Sequence, residues 1–476
     1  MNDNYRTTYE IFVYSFEDSN GDGIGDLNGV RSRLDYIQDT GFDQIWLMPI
    51  CPSPTYHKYD VMDYYAIDPQ YGTMDDFDAL VKDCHGRGIR VITDLVLNHS
   101  SSQHPYFQDA LNKGADSPYY GWYNFADSSR EGYAEKNGRY YEARFWEEMP
   151  DLNLDNEEVR KEIEKIMAFW IDHGVDGFRL DAVTSYYTGR QDDNIAFLEW
   201  LNRAGKAIKP DLYFVAEAWE SQDRYAEYYR SGIDSMFDFA FSGFNGIIRN
   251  VLLGSYGADD YANALKKEES LYSTVNPAYV NAPFYTNHDM ARSAGYYAGE
   301  FGQNKVKLAG ALNLLMGGNA FVYYGEEIGM KGSGRDENFR APMYWNDSPS
   351  CVGPQDMENV SMYYPPYDQQ KDDPSSIYSY YRKLVQARKN YPAIARGMVF
   401  VYEDLCEEEY CVLEKVADEY ENVLIVINTS EGEETIPISQ LGFGNLAADL
   451  STGDTAVVLN EQGIVMPPLS AAILTK

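Results

Sequence analysis

The residues best placed to do chemistry lie in the segment GVDGFRLDAV, residues 174–183. Arg179 and Asp181 stand two positions apart in an apolar strand-like run, and alternate residues of a strand face the same side. A guanidinium beside a carboxylate favours the ionised form of the acid, and an ionised carboxylate at a strand end can act as a nucleophile. The alternative interpretation is a buried Arg–Asp pair that only holds the strand in place.

Two further acids end strand-like runs. Glu217, in VAEAW, has apolar neighbours, which favour the neutral form of a carboxyl group and so suit a general acid. Asp289 follows His288 in TNHDMAR, where capping a helix is the alternative role. Carboxylates in contrasting environments are the arrangement used in glycoside hydrolysis. We therefore predict that Asp181, Glu217 and Asp289 are the catalytic acids.

Polar and aromatic side chains follow the second and third strand-like runs. His57, Tyr59 and Asp60 lie in SPTYHKYD, where Tyr59 offers a ring to a sugar face and Asp60 could accept hydrogen bonds from hydroxyl groups. Packing within the protein is the alternative role for His57. In DLVLNH, we expect Asp94 to be an interior structural partner and His99 to donate to a ligand hydroxyl.

The loop DSNGDGIGD after the first strand-like run has the ligand spacing of an EF-hand-like calcium loop. The predicted ligands are Asp18, Asn20, Asp22, the carbonyl of Ile24, and Asp26. Gly29 stands where an EF-hand has its bidentate Glu, and no helix precedes the loop, so a structural Ca²⁺ is expected. The alternative is a polar, Gly-rich turn without a metal.

Eight strand-like runs, each followed by a segment of helical period, predict an α/β fold of the (β/α)8 TIM barrel type. The runs are 9–16, 43–50, 89–97, 175–180, 212–217, 235–241, 282–287 and 319–325. In such a barrel the carboxyl ends of the strands share one face, which would bring the three acids together. A doubly wound open sheet is the alternative.

Two departures from even spacing predict additional domains. The long Tyr-, Gly-, Ser- and Asn-rich segment 100–156 is interpreted as a subdomain inserted after strand 3. Short alternating runs after residue 395 predict a C-terminal antiparallel β-sandwich domain, 396–476. The catalytic barrel would then comprise 1–99 and 157–395.

Composition excludes several classes of partner. The net charge of -36 argues against nucleic acid and against anionic membrane surfaces. No apolar run approaches the roughly twenty residues of a membrane span. The five cysteines lack metal-ligand spacing, although Cys406 and Cys411 could pair across a hairpin. No signal peptide is present, but a mature secreted domain would look the same, and an extracellular location is favoured over a cytoplasmic one.

Several motifs in this order resemble those of the alpha-amylase family, glycoside hydrolase family 13. They are DLVLNH, GFRLDAV, EAW and TNHD, together with MPDLN, DQIWLMPI and YYGEEIGM, and the resemblance spans essentially the whole chain. MPDLN and the calcium loop are similar to a branch between oligo-1,6-glucosidases and neopullulanases, many members of which are bacterial alpha-amylases.

The resemblance implies a role for individual residues. Asp181 matches the family's nucleophile, Glu217 its acid/base, and Asp289 the third carboxylate that grips sugar hydroxyls. The residues expected to bind the sugar at the cleaved bond are Tyr59, His57, Asp60, His99, Arg179, His288 and Arg340, of which Arg340 is matched only in the oligo-glucosidase-like branch. One departure is the run DAVTSYY, which lacks the Lys or His that many alpha-amylases carry there. It leaves open the family's common calcium site near Asn98.

The resemblance implies a retaining, endo-acting alpha-amylase that hydrolyses α-1,4 bonds of starch, glycogen and maltodextrins, with structural Ca²⁺ and as a monomer. An alpha-glucosidase, an oligo-1,6-glucosidase and a neopullulanase-type enzyme are the alternatives within the family. Transglycosylation through the same intermediate is a further outcome. A barrel-shaped binding or accessory protein without catalysis is the alternative from another class.

Overall fold

Eight parallel strands form the central sheet of the computed structural model, which describes residues 6–358 and 360–476. In chain order they are Thr7–Ile11, Gln44–Leu47, Arg90–Leu95, Gly177–Leu180, Tyr213–Ala216, Ser235–Phe237, Val280–Ala282 and Ala320–Tyr323. Each pairs with the next as far as the seventh, and the first also pairs with the eighth. A parallel bridge between Phe284 and Phe321 closes the ring. The predicted TIM barrel is confirmed, and the alternative of an open sheet is wrong.

Helices cover the outside of the barrel. They are Leu27–Ser32 with Leu34–Thr40, Met74–Gly86, Glu157–Asp172, Gln191–Ile208, Gln222–Ala226, Ile247–Leu252 with Ala258–Val275, Gly302–Leu314 and Ile377–Asn390. Met74–Gly86 shows why such segments are helical. Thr73 and Asp76 form a capping box at its start, and its apolar residues recur at helical spacing on the buried face. No helix in the described parts of the chain is long and apolar enough to cross a membrane.

Two barrel strands differ from the predicted ranges. The first strand ends at Ile11, and Val13–Phe16 forms a helical turn, because buried apolar residues without alternation fit a helix and a strand equally well. The seventh strand ends at Ala282, before the predicted run 282–287 has properly begun. Pro283 has no N–H with which to continue the ladder.

The segment between the third and fourth strands folds around a small core of its own. It contains the helix Pro105–Lys113 and a three-stranded antiparallel sheet of Phe125–Ala126, Arg139–Glu142 and Tyr133–Lys136. Phe107, Tyr123 and Tyr141 form the centre of that core. The chain returns to the barrel through bridges from Asp151 to His99 and from Leu152 to Tyr123.

The last eighty or so residues form two antiparallel sheets. The five-stranded sheet has the order Met398–Val401, Tyr410–Val416, Val423–Asn428, Ser470–Thr475 and Asn445–Leu450, and the three-stranded sheet has the order Glu434–Ile436, Gly463–Met466 and Val458–Asn460. One face of the larger sheet packs against the smaller one, and its other face joins the core of the barrel. Cys406 and Cys411 are free, as are the other three cysteines, so the hairpin pairing is absent.

Four short helices complete the described chain. Besides Val13–Phe16, they are Asp336–Phe339, Tyr367–Gln370 and Ala393–Arg396. Asp336–Phe339 follows the eighth strand and leads directly into Arg340. The loop after the eighth strand therefore brings a residue far along the chain to the same face as the earlier strand ends.

Candidate active site

Arg179 is the centre of a buried ionic cluster at the carboxyl end of the fourth strand. It is fully buried, and its Nη1 donates to Asp94 Oδ1 at 2.7 Å and to Asp181. Its Nη2 lies 2.9 Å from Glu217 Oε2. Asp181 and Glu217 thus bond to the two terminal nitrogens of one guanidinium, which places their carboxyl groups side by side. Trp46 Nε1 donates to the other oxygen of Asp94, at 2.7 Å.

The backbone around Asp181 fixes the position of Glu217. Ala182 adopts a positive φ of 45°, a strained conformation for a residue with a Cβ, and its N–H donates to Glu217 Oε2 at 3.1 Å. Glu217 N donates to Leu180 O, and Val183 N donates to Glu217 O, each at 3.0 Å. These bonds join the ends of the fourth and fifth strands rigidly beneath the two acids.

Burial separates the proton affinities of the acids. It raises the pKa of the Glu217 carboxyl to about 7; the Arg179 guanidinium lowers that pKa, whereas the charges of Asp181 and Asp289 raise it. Asp289 differs, because burial acts to raise its pKa but His288 and Arg340 outweigh it and hold it well below its usual range. One acid of the site therefore holds a proton near neutral pH, while Asp289 stays ionised.

His288 links Asp289 to the interior of the barrel. Its Nδ1 donates to Glu10 Oε1 at 2.6 Å, and its Nε2 lies 3.1 Å from Asp289 Oδ2 and 2.8 Å from the Tyr59 hydroxyl. Burial alone would lower the pKa of the imidazolium, but Asp289 and Glu10 raise it to about 10. His288 is therefore a buried cation held between two carboxylates.

Arg340 approaches the same acid from the loop after the eighth strand. Its Nη2 donates to Asp289 Oδ1 at 2.9 Å, and its Nη1 donates to the Tyr56 hydroxyl at 3.0 Å. His57 lies near Arg340. Burial first, and then the charges of Arg340 and His99, lower the pKa of His57 to about 3. His57 is consequently neutral, and its Nδ1 accepts from Tyr59 N at 3.1 Å.

The half-buried ring of Tyr59 stacks on His288, with ring centroids 5.6 Å apart and planes 13° apart. His99 Nε2 lies 3.2 Å from the Tyr59 carbonyl oxygen, so these three residues form one wall. Asp60 is turned into its own loop, where the hydroxyls of Ser53 and Thr55 donate to its Oδ1. Its buried Oδ2 has no partner among the described residues.

The structure therefore brings nearly all residues predicted for catalysis and for sugar binding together at one mouth of the barrel. Asp60 is the exception, because it bonds within the adjoining loop.

The loop Asp18–Asp26 lies apart from this site. Asp18 N donates to Ser350 Oγ at 3.1 Å, and Val352 N donates to Gly23 O at 2.8 Å, which attaches this loop to the segment after the eighth strand.

Three residues that contribute to the site were not predicted from the sequence. Glu10 is an acid inside the apolar run YEIF, and that isolated charge is the one available signal for its contact with His288. Tyr56 is one of many tyrosines, and nothing distinguishes it in the sequence. The contribution of Ala182 comes from its backbone N–H, which no side-chain pattern encodes.

Comparisons with known proteins place the chain in one family. The family model described as the alpha-amylase catalytic domain matches residues 10–397. The alpha-amylase 3 of Dictyoglomus thermophilum is 39% identical over 450 residues, which cover 90% of this chain and 85% of that protein. The 4-alpha-glucanotransferase of Thermotoga maritima is 32% identical over 454 residues, covering 90% of this chain and 96% of that protein.

A solved structure extends the likeness to the whole fold. The structure of Eubacterium rectale Amy13B superposes with a TM-score of 0.97 and is 46% identical in sequence, covering 100% of this chain and 96% of that one. The similarity therefore includes the inserted segment and the C-terminal sheets as well as the barrel.

Proposed function

Because the chain belongs to the alpha-amylase family of glycoside hydrolases, we propose that it is a retaining, endo-acting alpha-amylase. Its substrates would be the internal α-1,4-glucosidic bonds of starch, glycogen and maltodextrins. The observation that carries this proposal is the pair of carboxyl groups on one guanidinium, Asp181 and Glu217, of which Glu217 has a pKa raised to about 7.

In the first step, Glu217 donates its proton to the glycosidic oxygen while Asp181 attacks the anomeric carbon. The bond to the leaving sugar breaks, and a covalent glycosyl–Asp181 ester forms. In the second step, ionised Glu217 takes a proton from water, which attacks the same carbon and frees Asp181. Because two displacements occur at one carbon, the product keeps the α configuration.

The surrounding residues would bind the sugar at the cleaved bond. The ionised Asp289, held by Arg340 and His288, can accept hydrogen bonds from sugar hydroxyls and stabilise positive charge on the ring. Tyr59 offers its ring face, and His99 and His57 line the same wall. The unpartnered Oδ2 of Asp60 is an acceptor that a hydroxyl could reach if the loop shifted slightly.

Two open cavities adjoin the row Asp289–Arg340–Tyr56 and support endo cleavage. Asp289 lines one, of about 430 Å³, together with the exposed rings of Trp219 and Phe244. Tyr56 lines the other, of about 530 Å³, between the loops after the first, second and eighth strands. Since Asp289 adjoins one open space and its partner Arg340 bonds to Tyr56 at the other, a chain could continue beyond the cleaved bond on both sides.

A product profile tests the proposal. Maltoheptaoside blocked at its non-reducing end should be cleaved internally, whereas an exo-acting alpha-glucosidase would prefer a small nitrophenyl glucoside. Pullulan in the same assay distinguishes a neopullulanase-type enzyme, and isomaltose an oligo-1,6-glucosidase. Proton NMR of the first product should show the α anomer; initial release of the β anomer would exclude the double displacement.

Transfer to a sugar acceptor is the second candidate function, because the exposed rings of Trp219 and Phe244 next to Asp289 could hold an incoming sugar in place of water. The likeness to a 4-alpha-glucanotransferase points the same way. Incubation with maltotriose at high concentration separates the two outcomes. Glucose and maltose alone indicate hydrolysis, and longer maltodextrins indicate transfer.

The loop Asp18–Asp26 supports a structural calcium ion as a further part of the proposal. Its donors are all oxygen atoms, which Ca²⁺ prefers, and backbone N–H groups of Gly21 and Gly23 already fold the chain around Asp18. Among the described residues, no three acidic, histidine or cysteine side chains converge as a ready metal site. Binding would therefore have to draw the carboxylates of Asp18, Asp22 and Asp26 together, with Asn20 and the carbonyl of Ile24 completing the ligand set.

A further inference from the structure

A cavity of about 220 Å³ lies at the seam between the base of the barrel and the C-terminal domain, away from the acids. Its walls are the helix Ala258–Val275, the turn Gly317–Gly318 before the eighth strand, and the first two C-terminal strands. Exposed Met398 stands at its rim, so solvent reaches the cavity. We call it the seam cavity.

Lys415 contributes a buried ammonium group to the seam cavity. The residue is fully buried, yet its Nζ has no hydrogen-bond partner among the described residues. A Cβ added at Gly317 would lie 3.6 Å from that Nζ, so the turn passes close to the ammonium. A buried charge without an acceptor is costly, and Lys415 lines the cavity with three N–H donors for which the described residues provide no acceptor.

A second lysine on the same domain contact shows how such a group is normally satisfied. Lys307, 5% exposed, donates to the carbonyl oxygens of Ser375 and Thr452 at 2.6 and 2.8 Å. Lys415 is buried more deeply but has no comparable acceptor in the described chain. The difference lies in the local structure, not in the residue type.

Acidic and basic groups both act on Lys415. Burial lowers the pKa of Lys415 to about 8, with Glu269 acting to raise it and Arg388 to lower it. Burial also lowers the pKa of Arg388 to about 9, and the charges of Arg396 and Arg6 lower it further, against Asp43. A charge on Lys415 is thus opposed by burial and by Arg388, and no hydrogen-bond acceptor among the described residues compensates it.

The nearest unpaired acid does not supply the missing negative charge. Glu268, which also lines the seam cavity, accepts from Asn281 Nδ2 at 2.7 Å through Oε1, and its Oε2 has no partner among the described residues. Burial and the charge of Asp238 raise its pKa well above the usual range, so its surroundings oppose a negative charge there. Glu269, the other acid of the cavity, accepts from Val399 N through Oε2.

We propose that the seam cavity binds a small monovalent anion, a halide or a short carboxylate, against the ammonium of Lys415. The anion accepts hydrogen bonds from Lys415 Nζ, for which the described residues provide no acceptor, and it offsets the positive charge of that group. The site is separate from the proposed glucan cleft, and its occupancy does not depend on which bond the enzyme cleaves.

Crystals of the full chain grown in sodium bromide or in sodium acetate test the site directly. We expect an anomalous bromine peak within hydrogen-bond distance of Lys415 Nζ, and planar acetate density in the second crystal if carboxylates also bind. Density that refines as water in both crystals would overturn the proposal.

Melting temperature in solution gives the second test, at constant ionic strength with bromide replacing bulky gluconate. The native chain should gain about 1–3 °C in Tm along a saturating curve, since a ligand that binds only the folded state stabilises it. Lys415→Met should abolish the gain, and Lys415→Arg should retain part of it. Lys307→Met is the matched control and should keep the full bromide dependence, whatever its own Tm.

An equal bromide response in Lys415→Met and in the native chain would contradict the proposal. If Lys415→Met does not fold, the crystals of the native chain and the Lys415→Arg titration still decide between an anion and water. A native Tm that ignores the identity of the salt would also overturn it.

Discussion

At the scale of single residues, the two proposed catalytic acids differ because of what surrounds one arginine. Arg179 bonds to both, but Glu217 is buried and lies near the charges of Asp181 and Asp289, which raise its pKa. A nucleophile needs an ionised carboxylate, and a general acid needs a proton to give. One guanidinium can therefore bind both the nucleophile and the general acid, because burial and the charges of Asp181 and Asp289 raise the pKa of Glu217.

Asp181→Asn should reduce kcat on starch by about 10⁴-fold or more while leaving the fold intact, because an amide cannot form the covalent intermediate. Glu217→Gln should cost less on maltosides with good leaving groups, which need no proton in the first step. Steady-state rates and circular dichroism measure both variants. Substantial turnover by Asp181→Asn, or equal losses for Glu217→Gln on all substrates, would contradict the assigned roles.

The rate should depend on pH through Glu217. Because its protonated form is the acid, kcat/KM should fall as pH rises through about 7, the value to which burial raises its pKa. Asp289→Asn removes a charge that raises this pKa, so its alkaline limb should move to lower pH. In Glu217→Gln, assayed with an activated maltoside, the limb should disappear; if it stays, another group controls it.

Glu10 should position His288 without touching substrate. In Glu10→Gln the pKa of His288, held at about 10 partly by the Glu10 carboxylate, should fall, so that the ring loses its proton at lower pH. Hydrogen bonds to charged groups are worth about 1.5–3 kcal/mol, which corresponds to a loss of roughly tenfold or more in kcat/KM. Histidine NMR titration reports the pKa, and exposed Glu164→Gln should change neither quantity.

The residues that could be predicted are those whose type and neighbours are both unusual. Asp181 and Glu217 directly follow apolar strands and Asp289 lies in the loop after the seventh strand, and a parallel barrel gathers these positions at one face. Glu10 could not be predicted, because its partner His288 is 278 positions away in sequence. The unpaired state of Lys415 was equally inaccessible, since it depends on how two domains meet.

At the scale of elements, the loop Asp18–Asp26 shows how packing limits a sequence motif. Gly29 occupies the position of the EF-hand Glu, and a Cβ there would lie 1.9 Å from the Glu17 carbonyl oxygen. Asp26 caps the helix Leu27–Ser32 by accepting from Gly29 N at 2.7 Å. The loop therefore has no room for a twelfth-position ligand, which is why a bound ion must rely on residues 18 to 26.

Removing calcium should lower the melting temperature. With EGTA, the native chain should lose a few degrees in Tm, because an ion bound only to the folded state stabilises it. Asp22→Ala should melt at the EGTA value whether or not Ca²⁺ is added, and exposed Asp223→Ala should behave as the native chain. Isothermal titration of the EGTA-treated protein should give one site; no heat and no Tm shift would exclude the ion.

The sequence predicted that each of the eight barrel strands exists, but it did not always predict where a strand ends. All eight barrel runs contain a strand or border one, because buried parallel strands read as continuous apolar runs. YEIFVYSF turns into a helix after Ile11, since its mostly apolar residues do not alternate with polar ones and fit either structure. The seventh strand ends before Pro283, which has no N–H to donate to a neighbouring strand. The proline is visible in the sequence and could have predicted this strand end.

At the scale of the whole molecule, the C-terminal sheet is part of the barrel's core. Ile425, Ile427 and Ile473 are fully buried and belong to the same apolar cluster as the barrel strands. The opposite face of that sheet carries Leu424, Val426 and Leu474, which pack against the smaller sheet. The domain therefore buries both faces, and we expect it to unfold together with the barrel.

Ile425→Ala should lower the free energy of unfolding by about 2–5 kcal/mol, because it leaves a cavity between the sheet and the barrel. Thermal unfolding should remain a single transition when followed both by fluorescence and by loss of activity. Val458→Ala, at a half-exposed position, is the control and should change stability by about 0.5 kcal/mol or less. An earlier, separate transition without loss of activity would show that the two domains unfold independently.

The closure of the barrel has a consequence for its motions. Between the seventh and eighth strands, Asn319 N donates to Asn281 O and Phe321 N donates to Pro283 O, while Pro283 has no N–H to return. This junction has few hydrogen bonds between its two strands, and Pro283 lies five residues before His288. Amide deuterium uptake by Asn319 and Phe321 should thus be faster than at the opposite wall, and a bound glucan that grips Asp289 should slow it.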